Sequence, residues 1–303
     1  MRFTTKLGSS MITRRSLLKI GALTGLDMLT VSIASATDPF IFNEYAAFPD
    51  KGWNNLRGKT ETSSVFASPS TTKTIIIGGQ SLMATANGTS TYTTVSSLAN
   101  QLNIYDGGIY LGSDPVLGCS YTPSVGVSSI GMRTADSMIS RGKATQCIVV
   151  PIAIADTPYA VWTPSATGTL FGRITTAILR CRARGLEPDA FMWGEGEKDS
   201  SIGTSAASIT ASIQEIAAGI RAAPISCTAP FYVGLYSMTN GSTNATVRTG
   251  ISNSVSAPLN IVLGYDADTN LTVAGGFRLG DNTHLSNTGL ATGATGWTTL
   301  MFP

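Results

Sequence analysis

The feature that most constrains this chain is a repeated pattern in which a short apolar run stops abruptly at a glycine or polar break and a helical stretch follows. Thr74-Ile75-Ile76-Ile77 runs straight into Gly78-Gly79-Gln80-Ser81. The run 146–154 breaks at Ala155-Asp156-Thr157-Pro158, and Ala190-Phe191-Met192-Trp193 breaks at Gly194-Glu195-Gly196-Glu197. Runs this short, bounded by turn residues and rich in β-branched or aromatic side chains, read as buried strands. Residues 132–141, residues 170–184 closed by Gly185, and residues 207–223 carry apolar side chains three or four apart and read as helices. Phe231 to Leu235 and Ile261 to Tyr265 read as further strands. Strands alternating with helices predict an α/β fold, a three-layer α/β/α sandwich with a mainly parallel sheet. Ligands bind outside the carboxyl ends of such strands, so the three breaks are expected to converge on one edge.

The chain has 303 residues, 43% of them hydrophobic and 13% charged. At that length roughly three quarters of the unfolded surface is buried on folding, so no metal or disulfide staple is needed. Net charge is +2 and no basic run lies beyond the first twenty residues, which points to neither nucleic acid nor an anionic membrane as partner. The substrate is expected to be neutral or weakly charged.

Residues 1–36 read as an export signal. Thr13-Arg14-Arg15-Ser16-Leu17-Leu18-Lys19 precedes a modestly apolar stretch of about 14 residues and then Ala34-Ser35-Ala36, the pattern of a bacterial twin-arginine signal cleaved after Ala36. The stretch carries Asp27 and falls short of the roughly 20 apolar residues a spanning helix needs. Met11 is an alternative start. This predicts a periplasmic or secreted protein with no membrane attachment after cleavage, an irregular lead-in at 37–70 and one catalytic domain at 71–303. Cys119, Cys147, Cys181 and Cys227 are irregularly spaced and fit no metal site; buried thiols, or one disulfide at most, are expected.

A serine hydroxyl becomes a nucleophile only when a base takes its proton, and the base must itself be oriented. The chain has one histidine, His284, in Gly280-Asp281-Asn282-Thr283-His284-Leu285-Ser286, just before a predicted final helix at 287–300. One loop can thus present Asp281 and His284 together, with Asp281 accepting from one ring nitrogen and the other free to take the proton of Ser81. The structural alternative is a surface histidine capping the last helix. A single histidine excludes histidine-rich metal sites, and no cofactor or metal is expected.

Four segments in order carry a resemblance: Gly79-Gln80-Ser81-Leu82-Met83, Ala153-Ile154-Ala155-Asp156-Thr157 with Trp162 five residues on, Trp193-Gly194-Glu195-Gly196-Glu197-Lys198-Asp199, and Asp281-x-x-His284. On these the chain resembles the SGNH (GDSL-like) hydrolases, in their carbohydrate acetylesterase or sialate O-acetylesterase-like branch. The resemblance implies the SGNH, flavodoxin-like sandwich and Ser81, Asp281 and His284 as catalytic triad. It implies an oxyanion hole around Ser81, Ala155, Asp156 and Glu195, with Gln80, Trp162, Trp193 and Glu197 toward an acylated carbohydrate substrate. The implied activity is removal of short acyl groups, most simply acetyl; transfer of the acyl group to a sugar hydroxyl, or a carbohydrate-binding protein that keeps only the fold, are its alternatives.

The chain departs from the family pattern at Leu82, where asparagine is usual, at Ala155-Asp156 for Gly-Gly, and at Glu195 for glutamine. Backbone donors at Ala155 or Asp156 do not depend on side-chain identity. An ionised Glu195 only accepts hydrogen bonds. Either Glu197 and Asp199 keep it protonated, or it points elsewhere and Gly194 or Gly196 supplies a backbone donor. Trp162 and Trp193 read as sugar platform or as core, and Arg278 as a carboxylate anchor or a structural ion-pair partner. The Asn-x-Ser/Thr sequons at Asn87, Asn240, Asn244 and Asn270 receive no functional role in a bacterial protein.

Overall fold

The triple isoleucine becomes the central strand of the sheet. In the computed structural model, which describes residues 53–62 and 70–303, β1 spans Thr72–Gly79 and pairs in parallel with β4 (Gln146–Pro151) on one side and β5 (Ala190–Glu195) on the other. The export signal read at 1–36 and most of the lead-in lie outside the described residues. Ile75, Ile76 and Ile77 are all fully buried, as a strand covered on both faces requires. Ile76 joins a core with Ile174 and Ile178 of α2 (Phe171–Arg182) and Ile209, Ile213 and Ile216 of α4 (Ala206–Arg221). Ile75 and Ile77 join another with Ile130 and Met138 of α1 (Ile130–Ser140) and Leu290 and Trp297 of α6 (Asn287–Met301). These are the three layers the pattern predicts.

The sheet has seven strands in the order β3-β2-β4-β1-β5-β6-β7, where β6 is Phe231–Leu235 and β7 Ile261–Asp266. All neighbours run parallel except β3 (Ile109–Leu111), which is antiparallel to β2 (Ala99–Leu102). Without the β2–β3 pair, the remaining strands follow the flavodoxin-like order. That pair, the short helix α3 (Glu197–Ile202) and the helix α5 (Ala245–Asn253) are additions to the elements predicted from sequence. The described part of the lead-in covers the β3 edge: Glu61 bridges Tyr110, and the Lys59 ammonium donates to the carbonyls of Ser113 and Pro115 at 2.7 and 2.6 Å. All four cysteines are buried, unpaired thiols. No helix of the described residues is long and apolar enough to cross a membrane.

The chain reverses direction through the sheet at β1, so a crevice opens at the carboxyl ends of β4, β1 and β5. Parallel pairing continues past the strand ends: Ile154 N–H donates to the Gly79 carbonyl at 2.9 Å and Gln80 N–H to the Gly194 carbonyl at 3.1 Å. This sets the 155–156 loop, the Gln80-Ser81 turn and Glu195 at one level. Gly79 sits at φ +110°, and a Cβ built there would collide with the Gly194 carbonyl. Because backbone rather than a movable side chain would be struck, Gly79→Ala is expected to cost about 3 kcal/mol or more, measured by chemical denaturation.

Candidate active site

Ser81 follows β1 at the first position of a single helical turn, with the Gln80 carbonyl accepting from Met83 N–H at 2.9 Å and Ala84 N–H at 3.1 Å. Its hydroxyl lies 3.0 Å from Nε2 of His284, and Nδ1 of His284 lies 2.6 Å from Oδ2 of Asp281. The other Asp281 oxygen accepts from the backbone N–H groups of Thr283 and His284, each at 2.9 Å. Burial pushes the Asp281 carboxyl up, but the His284 ring and these two N–H donors outweigh it and hold the group below the usual carboxylate range. An ionised Asp281 fixes the imidazole with its Nε2 aimed at Ser81.

The loop that carries this pair is built on backbone. Leu279 N–H donates to the His284 carbonyl at 2.7 Å and Ser286 N–H to the Phe277 carbonyl at 2.9 Å. Between them Asn282 turns the chain at φ +55°, which asparagine tolerates better than most residues. Arg278 is buried beneath the loop and donates to the carbonyls of Leu271, Thr283 and Ala267 at 2.7, 2.6 and 3.2 Å. Its guanidinium is therefore a structural strut, and the carboxylate-anchor reading is corrected. The last helix is capped by Ser286, whose side chain accepts from Gly289 N–H, and His284 is free of that task.

The oxyanion expectation is corrected in part. Ala155 N–H donates to the Ser120 hydroxyl at 2.8 Å, so Ala155 has no donor left for a substrate. Among the described residues, Ser81 N–H and Asp156 N–H make no hydrogen bond within the protein. Asp156 stands at φ +63°, keeping the left-handed backbone that a glycine would supply. Its exposed carboxylate pairs with Lys198 at 2.9 Å. Ser120 lies outside the four segments and Lys198 at a variable position within the third, so only the folded loops give them a place here.

The substrate-facing expectations for Gln80, Trp162, Trp193 and Glu197 are also corrected, because all four are buried. Trp162 and Trp193 pack edge to face with ring centroids 4.9 Å apart, and Trp193 also leans on Phe231. Trp162 spends its indole N–H on the Thr157 hydroxyl at 3.2 Å. Gln80 donates its amide to Glu197 beneath the Ser81 turn. Glu195 has no exposed surface; its carboxyl approaches the Thr157 hydroxyl at 3.4 Å, on the face of the sheet that carries Trp193. It belongs to the layer under the crevice and cannot donate to a substrate from there.

Burial, followed by the charges of Asp199 and Glu197, pushes Glu195 well above the usual carboxylate range. Burial likewise raises Glu197 to about 7 against the opposing pull of the backbone at its helix start, and raises Asp199. Burial and the neighbouring carboxyls thus favour the protonated form of Glu195.

No protein-family model matches the chain, and no curated protein matches it. Among solved structures, a protein from Arabidopsis thaliana superposes with a TM-score of 0.58 at 18% identity, covering 76% of this chain and 97% of its own. The two share one fold. Similar structures also include NanS, with a TM-score of 0.48 at 12% identity, covering 78% of this chain and 98% of its own. A carbohydrate acetylesterase from Xanthomonas citri has a TM-score of 0.48 at 13% identity, covering 75% of this chain and 56% of its own.

The raised carboxyls define a pH signature. A carboxyl whose folded pKa exceeds its unfolded value holds its proton longer in the native state, so its contribution to stability is complete below the unfolded value and falls as pH rises through the folded one. Stability is expected to decline from about pH 4.5 upward through about pH 7, and the double variant Glu195→Gln/Glu197→Gln should flatten that decline. Thermal unfolding across pH checks it; a parent curve that rises through this window refutes the assignment.

Proposed function

We propose that the protein is a serine esterase that removes short acyl groups, most simply acetyl, from a carbohydrate through an acyl-enzyme at Ser81. The observation that carries this reading is the unbroken line from the Ser81 hydroxyl through His284 to Asp281. In the first step Ser81 Oγ attacks the ester carbonyl carbon while His284 Nε2 takes its proton. Negative charge collects on the former carbonyl oxygen, where the Ser81 and Asp156 N–H groups are the donors at hand. His284 returns the proton to the sugar oxygen as the C–O bond breaks, leaving the acyl group on Ser81. Water then attacks the acyl carbon, His284 accepts its proton and passes it to Ser81 Oγ, and the carboxylic acid departs.

The four-segment resemblance supports a carbohydrate as the alcohol, and the absence of any basic run in the mature chain suits a neutral one. In this reading the residues before 37 direct export, and the enzyme works in the periplasm or outside the cell. Ser81→Ala is expected to lower p-nitrophenyl acetate hydrolysis by about 10⁴-fold or more and to abolish fluorophosphonate labelling, with the melting temperature little changed. Undiminished hydrolysis by that variant sinks the triad. Absence of labelling in the parent points instead to a binding protein on the same fold, and acyl transfer to added oligosaccharide in place of acetate release points to a transferase.

A further inference from the structure

The proposed nucleophile and its base are 203 residues apart in sequence, and the side chain of Asn87 touches the segments of both. Asn87 is fully buried. Its amide nitrogen lies 3.0 Å from the carbonyl of Ser81, 3.3 Å from that of Leu82 and 3.3 Å from that of Ala84, so its two hydrogens serve the whole nucleophile turn. Its amide oxygen accepts from the N–H of Leu285, the residue after His284, at 2.9 Å. Gly88 completes the clamp by donating its N–H to the Leu285 carbonyl at 2.8 Å. Both backbone groups of the fully buried Leu285 are therefore held by the Asn87-Gly88 pair.

Asn87 is itself fixed from outside the site. Its N–H donates to the Ser128 carbonyl at 3.1 Å and its carbonyl accepts from Ser128 N–H at 2.7 Å, which ties it to the segment entering α1. The amide of a sequon asparagine with three carbonyl partners and no exposure is not open to glycosylation.

We propose that Asn87 is a positioning residue for the triad: it sets the gap between Ser81 Oγ and His284 Nε2 by holding the nucleophile turn with its amide nitrogen and the histidine loop with its amide oxygen. Among residues of this size only asparagine offers two donors and an acceptor from one planar group, and aspartate is its isostere without the two donors, so the pair Asn87→Asp and Asn87→Ala separates the two links. The aspartate keeps the acceptor for Leu285 and drops the hold on the nucleophile turn; the alanine drops both. Misplacement of a reacting group by about an ångström costs on the order of a hundredfold in rate.

This inference rests on the esterase reading for its rate measurement, and His284 supplies an independent readout. As the only histidine in the chain, it gives ring resonances that need no assignment. In the folded variants kcat for p-nitrophenyl acetate is expected to fall by about thirtyfold for Asn87→Asp and about a hundredfold for Asn87→Ala, with KM within about threefold of the parent. The His284 ring resonances should shift in Asn87→Ala and stay near the parent's in Asn87→Asp. A residue that merely supports the fold would lower the melting temperature and leave kcat per folded molecule and the ring resonances in place. The proposal is overturned by a folded variant with kcat within about threefold of the parent, by unshifted ring resonances in Asn87→Ala, or by failure of both variants to fold, which would assign Asn87 to the core alone. A parent that hydrolyses no ester defeats the esterase reading instead, and the ring resonances then still decide whether Asn87 holds the His284 loop.

Discussion

The close packing of β1 on β5 at Gly79 and Gly194 governs where everything else in the crevice can lie. With no Cβ at Gly79, the strand end comes near enough for Gln80 N–H to reach the Gly194 carbonyl. Ladder bonds running past the last regular residues put the 155–156 loop, the Ser81 turn and Glu195 side by side. A second glycine, Gly196 at φ +144°, lets β5 turn into α3 against the Tyr236 carbonyl. Two backbone contacts thus place the ends of three strands around one serine.

The same packing has a cost that falls on the carboxylates at the strand ends. Glu195, Glu197 and Asp199 are all buried, and each has one carboxyl oxygen without a partner. An ionised carboxylate in that setting is expensive, and the group responds by keeping its proton. Burial is the leading cause of the raised pKa at all three. A protonated carboxyl offers one O–H donor beside its acceptor oxygens, which suits a buried site better than the charged form. Gln80, the residue before Ser81, links this layer to the Ser81 turn through Glu197.

Much of this was legible in the chain itself. The triple isoleucine, the runs at 146–154 and 190–193 and the helical periodicity at 132–141, 170–184 and 207–223 lead to the sandwich, because strands covered on both faces and amphipathic helices write their burial directly into apolar spacing. Missing from that reading were β2, with Asn100 and Gln101 in its four residues, and α3, which opens with Glu197-Lys198-Asp199. In β2 the buried residues include two amides, and in α3 the two buried residues are carboxylates, so neither element carries the apolar spacing that periodicity reads. Ser81, Asp281 and His284 come together as expected, since one histidine leaves few choices. The side-chain roles of Trp162, Trp193, Gln80 and Glu197 did not survive, because a motif position fixes a residue near a strand end without fixing which side of the end it faces. Asn87 and Ser120 had no signal at all: their function is to accept and donate for backbone groups brought near only by the fold.

Taken together, the site relies on backbone groups where its side chains depart from the expected pattern. Ser120 takes the N–H of Ala155, which holds the loop, while the N–H of Asp156 makes no hydrogen bond within the described residues. Aspartate can occupy that left-handed position, but under the proposed esterase reading it brings a negative charge near the developing oxyanion. Lys198, at the start of α3, meets that charge at 2.9 Å. With Asp156 largely exposed, water screens the pair and the stability it contributes is small. Its consequence is local: the carboxylate is held toward α3 beside a cation, which under the proposed esterase reading lessens its repulsion of the charge that the Asp156 N–H would stabilise. Under the proposed esterase reading, a backbone donor in a permitted conformation with a cation beside its side chain would serve the electrostatics that acyl transfer requires.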